Sequence, residues 1–138
     1  MPNWCENELT ITGDVHKLIA FKERAESFIA GQALKFAAFV PDPFPQKPYL
    51  TDEHYDWRIA NWGTKWDLLD ATLEESLLEA TLRCAFDTAW SPPIAWLKSV
   101  AQMYPSLDFK LDFDEPGMEF RGTAVAEDGE TKETIEDY

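Results

Sequence analysis

Leu-Glu-Ala-Thr-Leu-Arg-Cys-Ala-Phe-Asp-Thr-Ala-Trp, residues 78–90, alternates, and it runs directly into Ser91-Pro92-Pro93. Leu78, Ala80, Leu82, Cys84, Phe86, Thr88 and Trp90 fall on one side. Glu79, Thr81, Arg83, Ala85 and Asp87 fall on the other. A period of two over this length predicts a half-buried strand. Ser91 then reads as an N-cap and Pro92 as the first helical position. Trp96, Leu97, Val100, Ala101 and Tyr104 recur at helical spacing, and Pro105 stops the element, so a helix is predicted over 92–104. Leu107, Phe109, Leu111 and Phe113 alternate with Asp108, Lys110, Asp112 and Asp114, a second clear strand. Pro116-Gly117 is a turn signal, and Met118 to Ala126 alternates again, which closes a hairpin.

Working upstream, Cys5, Asn7, Leu9 and Ile11 alternate with Glu6, Glu8, Thr10 and Thr12, a strand that Gly13 ends. Asp14 is placed to cap a helix over 14–30, with Val15, Leu18, Ile19, Ala25 and Phe28 at helical spacing. Leu34 to Val40 is a short apolar run that reads as a second strand. Pro41, Pro43, Pro45 and Pro48 then punctuate a semi-rigid surface connection. Residues 52–60 add a short helical turn capped by Asp52. The order is strand, helix, strand, insertion, strand, helix, strand, strand. It predicts an α+β domain built on a split βαβ unit, with a mostly antiparallel sheet, two helices on one face and an extra strand from the C-terminal hairpin. A single domain over 1–127 is expected, with a Pro- and Trp-rich insertion at 41–70. Residues 128–138 form an acidic tail or a weak edge strand.

Hydrophobic residues make up 45% of the chain and aromatics 14%, enough for one core. No apolar run is long enough to span a membrane, and no export signal opens the chain, so a cytoplasmic protein with no membrane partner is expected. Cys5 and Cys84 are then expected to be reduced and buried. The net charge of −14 divides unevenly, −4 over residues 1–70 and −10 over 71–138. Such a chain is repelled by phosphate backbones, so direct nucleic-acid binding is not expected. The acidity serves solubility, or it imitates a nucleic acid and would attract a basic protein partner.

Asn-Trp-Gly-Thr-Lys-Trp-Asp (61–67) and Phe-Asp-Thr-Ala-Trp-Ser-Pro-Pro (86–93) fit neither period cleanly. With the opening Met-Pro-Asn-Trp-Cys-Glu-Asn-Glu-Leu-Thr-Ile-Thr-Gly (1–13) they resemble the YubB-type family of phage- and plasmid-borne proteins. The resemblance covers roughly residues 1–125. It implies a ferredoxin-like domain and a mobile-element origin. It implies no activity, and no catalytic residue is carried over.

His16 and His54 are the only near-neutral bases, and neither has a Ser, Cys or Asp partner at a recognisable spacing, so both are read as structural. No catalytic residue, metal ligand set or cofactor motif is assigned. Two groups of binding candidates remain. Trp62, Lys65, Trp66, Asp67, Asp87 and Trp90 are expected to converge at one end of the sheet, with Lys65 paired to Asp87 or Asp67. Packing alone also explains the three Trp. Asp108, Asp112, Asp114, Glu119, Glu127 and Asp128 are candidates for an acidic patch, although carboxylates on a strand are more often a solvated face. Three functions fit: a non-enzymatic protein-interaction module of a mobile element, an acidic nucleic-acid mimic that inhibits a host enzyme, and a small enzyme or ligand binder using the Trp-rich pocket.

Overall fold

The computed structural model describes residues 3–44 and 51–138. The elements are β1 (Trp4–Gly13), α1 (Val15–Ser27), a 3-10 turn (Phe36–Ala38), α2 (Asp52–Asn61), β2 (Ala71–Ser76), β3 (Thr81–Ala89), α3 (Ile94–Met103), β4 (Leu107–Glu115), β5 (Phe120–Glu127) and β6 (Glu130–Asp137). The strands form one six-stranded sheet in the order β2-β3-β1-β4-β5-β6. Every neighbouring pair is antiparallel.

Register follows from the alternation. Leu9 of β1 faces Cys84 on one side and Leu111 on the other, and Ile11 faces Leu82 and Phe109. A one-residue slip would turn all of them to solvent. α1 and α3 cover this apolar side together. Phe21 of α1 meets Phe109 of β4 at 6.1 Å and Tyr104, just after α3, at 5.4 Å. Leu18, Phe21 and Ala25 from α1 and Trp96, Leu97, Val100 and Ala101 from α3 are buried in the same core. The other side of the sheet has no covering element among the described residues.

Four local expectations are corrected. Residues 34–40 do not form a strand. Their polar backbone is satisfied by side chains instead: Asp67 accepts from the N–H groups of Phe36 and Ala37, and the indoles of Trp62 and Trp96 donate to the carbonyls of Val40 and Phe36. The sheet's outer strand is β2, whose hairpin with β3 turns through Ala80 at a left-handed φ of 49°. Glu75 obscured it, because it points to the covered side at the rim, where Lys22 of α1 reaches it at 3.9 Å. Residues 52–61 make a full helix capped by Thr51, which gives three α-helices where two were expected. Ser91 does not cap α3; its hydroxyl donates to the Gly63 carbonyl, and Pro93 occupies the cap position. Pro45 and Pro48 of the expected connection lie outside the described residues.

Both cysteines are free and buried. Cys84 stands opposite Leu9, four residues from Cys5 along β1. That separation is about 13 Å, beyond the reach of a disulfide.

Candidate functional site

The segment after α2 folds back over the sheet end where β1 begins and β3 finishes. Gly63 makes this approach possible. Its φ is 85°, and a Cβ there would lie 3.1 Å from both the Ile94 nitrogen and the Pro92 carbonyl. Thr64 donates to the Ala89 carbonyl at 2.8 Å, and the Trp96 N–H reaches the Trp62 carbonyl at 3.3 Å. The start of α3 is therefore occupied by the chain itself and is not open to an anion.

The aromatic candidates separate. Trp62 is buried among Phe36, Trp57 and the Arg58 guanidinium, and belongs to the core. Trp66 turns outward and meets Trp4 of β1, with ring centroids 6.1 Å apart. These two indoles, with Asp70 and Asp87, wall a cleft of about 150 Å³ floored by Thr88 and Ala89. Trp90 is half exposed and takes a left-handed φ of 69°, an unusual backbone state for an aromatic residue. It does not line the cleft.

Lys65 makes no ion pair with Asp67 or Asp87 among the described residues, contrary to the sequence expectation. Its ammonium lies over the Trp66 ring, 4.8 Å from the centroid. Asp67 has another task. One oxygen accepts from the Phe36 and Leu68 N–H groups at 2.6 and 2.7 Å, and the other from Ala37 at 3.2 Å. Burial pushes its carboxyl above the ordinary range, and those three N–H bonds only partly offset it. Asp67 thus touches the cleft but is already engaged in holding the 3-10 turn, beside Lys35, whose ammonium donates to the Leu68 carbonyl.

The uncovered sheet face begins at the cleft. Asp87, Glu6 and Asp114 stand side by side on β3, β1 and β4. Arg121 of β5 continues this row opposite Asp114 and bonds Glu136 of β6 at 2.8 Å; Glu8, Asp112 and Thr123 form the next row, with Lys110 3.9 Å from Asp112. This stretch is a shallow basin of about 570 Å³. Asp112 accepts from Thr123 at 2.9 Å, and Asp114 accepts from the Tyr138 hydroxyl at 2.5 Å. That bond is the main reason the Tyr138 phenol is pushed up to about 12. Asp108 shares the face but stands six residues from Asp114 along β4, about 20 Å away. Glu119 and Asp128 sit in the turns flanking β5 with left-handed φ of 56° and 52°, and Glu127 ends β5. The six predicted acids are therefore split between the two ends of β4. The acids that join Asp112 and Asp114 at the basin are Glu6, Glu8 and Glu136, while Asp87 stands beside Glu6 and lines the cleft.

Sequence reasoning also missed a buried ionic clamp. The His54 ring, stacked on Phe44, donates from Nε2 to Asp42 Oδ2 at 2.5 Å, and Arg58 reaches the same oxygen at 3.1 Å. Burial pushes the Asp42 carboxyl up, but bonds from His54, the Phe44 N–H and Arg58 outweigh it and hold it below the usual range. The i, i+4 spacing of His54 and Arg58 was visible; Asp42, between two prolines, gave no sign of its partners. Among the described residues no group of three or more His, Cys, Asp or Glu is arranged to hold a metal ion. No helix among them is long and apolar enough to cross a membrane.

An antiparallel six-stranded sheet with helices on one side and a second, open side is the frame of a ferredoxin-like domain. The chain belongs to the family described as the ferredoxin-like domain in Api92-like protein, which matches residues 61–138, more than half of its length. No curated protein matches the sequence. Among solved structures the chain is similar to protein api92 from Yersinia pseudotuberculosis, with a TM-score of 0.68, 9% identity, and coverage of 100% of this chain and 98% of that one. At that identity the likeness is one of fold.

Proposed function

We propose that this protein is a non-enzymatic interaction module whose open sheet face receives a basic protein partner, and that it is a YubB-type product of a mobile element acting in the cytoplasm. The observation that carries the reading is the row Asp87–Glu6–Asp114 across three adjacent strands, which Arg121, opposite Asp114 and bonded to Glu136, offsets at one end alone. Like charges directly opposite one another destabilise a sheet by roughly 0.2–1 kcal/mol per pair. A sheet that keeps such a row on an uncovered face gains stability when a cationic surface covers it, and the same charges steer that surface in.

The test uses a defined probe, an octa-arginine peptide, titrated by calorimetry at low and high salt. Wild type should bind at low salt and weaken steeply as screening shortens the reach of the charges. A Glu6→Gln/Glu8→Gln/Asp114→Asn variant should lose about tenfold or more in affinity, since each tenfold is only 1.4 kcal/mol. Glu23→Gln/Glu26→Gln/Glu53→Gln on α1 and α2, of equal charge loss, should bind nearly as wild type. Equal losses in both variants would leave only the net charge and discard the face.

The same row favours a second reading, in which the face imitates nucleic acid and occupies the binding surface of a host enzyme. Displacement of DNA from a basic DNA-binding enzyme by wild type, but not by the face variant, separates that inhibitor from a simple docking module. The remaining alternative, a small enzyme or ligand binder using the Trp-lined cleft, is supported by the cleft's two indoles and by its Asp70 and Asp87 carboxylates.

A further inference from the structure

We infer that the cleft beside the Trp4–Trp66 pair is a receptor for one arginine side chain of the partner. This deepens the reading of the sheet face as a docking surface, because Asp87 belongs to both: it walls the cleft and stands opposite Glu6 in the acidic row. The cleft's 150 Å³ is below the roughly 300–1,000 Å³ of sites for small molecules, so it admits the end of a side chain and no more. Its walls are two indoles, whose ring faces attract cations. Its polar groups are carboxylates. Asp67 is consumed by backbone N–H groups, whereas neither Asp70 nor Asp87 takes part in an ion pair among the described residues.

The Lys65 ammonium lies 4.8 Å from the Trp66 centroid without lining the cleft, so this indole already holds a cation outside it. In the cleft itself a guanidinium suits the walls better than an ammonium, since its plane stacks on indole while its fork meets a carboxylate with two hydrogen bonds.

The test is NMR of the full chain, following the indole N–H signals of Trp4 and Trp66, assigned through Trp4→Phe and Trp66→Phe. The probe is N-acetyl-arginine amide, and the control is N-acetyl-citrulline amide, which has the same shape without charge. Arginine amide should shift both indoles saturably, and citrulline amide about tenfold more weakly, the cost of roughly one charge-assisted bond. Asp70→Asn/Asp87→Asn should weaken arginine binding by about tenfold or more. These positions are on the surface, and an unchanged spectrum outside the cleft certifies the fold. Glu8→Gln/Asp112→Asn on the sheet face should bind arginine amide as wild type does. Indoles that do not move, or that answer citrulline equally, would overturn the inference. If octa-arginine binds the face while arginine amide leaves both indoles unmoved, the cleft inference alone fails. If arginine amide binds and the Glu6→Gln/Glu8→Gln/Asp114→Asn variant binds octa-arginine as wild type does, the cleft stands without the face.

Discussion

Gly63 and Asp67 show how single residues set the site. Gly63→Ala must place a methyl against the first turn of α3 at a φ of 85°, which an L residue rarely adopts. It should cost about 1–3 kcal/mol, the usual range for such strain, and a denaturation midpoint equal to wild type would refute the packing described. Asp67→Ala leaves buried N–H groups without acceptors and should cost about 1–3 kcal/mol. Asp67→Asn keeps one acceptor and removes the buried charge, so it should cost less; equal losses would show that the charge itself is required. The cysteines give a pH dependence. Burial, the largest cause in each, pushes both thiols from 9.0 to about 12. A group raised in the folded state contributes stability that is complete below its unfolded value and lost as pH rises toward the folded one. Unfolding free energy should therefore fall between about pH 9 and 12. Cys5→Ala/Cys84→Ala should flatten that limb, and a limb as steep as wild type would place its origin elsewhere.

At the scale of elements, periodicity was a good guide wherever one period held. It gave β1, α1, α3, β4 and β5 close to their observed limits. It failed where side chains replaced a ladder. Leu34 to Val40 looked like a strand because apolar content does not reveal that two indoles and Asp67 serve as its hydrogen-bond partners from far along the chain. β2 was hidden by Glu75, whose inward position makes sense only beside Lys22. The clamp between Asp42, His54 and Arg58 joins the segment before the undescribed residues to α2. Asp42→Ala removes one partner of a buried pair and should cost about 3 kcal/mol. Amide exchange should rise first around Asp42–Phe44 and α2, while the sheet stays protected. Uniform acceleration across the molecule, or none, would argue against a local clamp. Asp42 is depressed from its ordinary 3.8, so its contribution is present above that pH and is lost as pH falls through the lower folded value.

On the scale of the whole molecule, the sheet divides two chemistries. Its covered side holds the core, and its open side is charged, with carboxylates in register toward the cleft end and Lys110 and Arg121 paired among them. Each strand's polar side could be read from the alternation, including Glu6 and Glu8 on β1 and Asp112 and Asp114 on β4. Which of those carboxylates become neighbours could not, since register is decided by the core side and by turns whose geometry involves the whole fold. The candidates Trp66 and Asp87 do meet at one cleft; Trp62 went to the core because its indole N–H had a carbonyl to satisfy, and Trp4 replaced it as the facing wall. The central claim is that the open face, and not the charge of the molecule at large, is the docking surface. Chemical-shift mapping with octa-arginine addresses this most directly. The account predicts that the largest shifts fall on Glu6, Glu8, Asp87, Asp112, Asp114 and the Trp4 and Trp66 indoles, with α1 and α3 unmoved. Shifts spread over α1, α2 and the sheet face alike would contradict it.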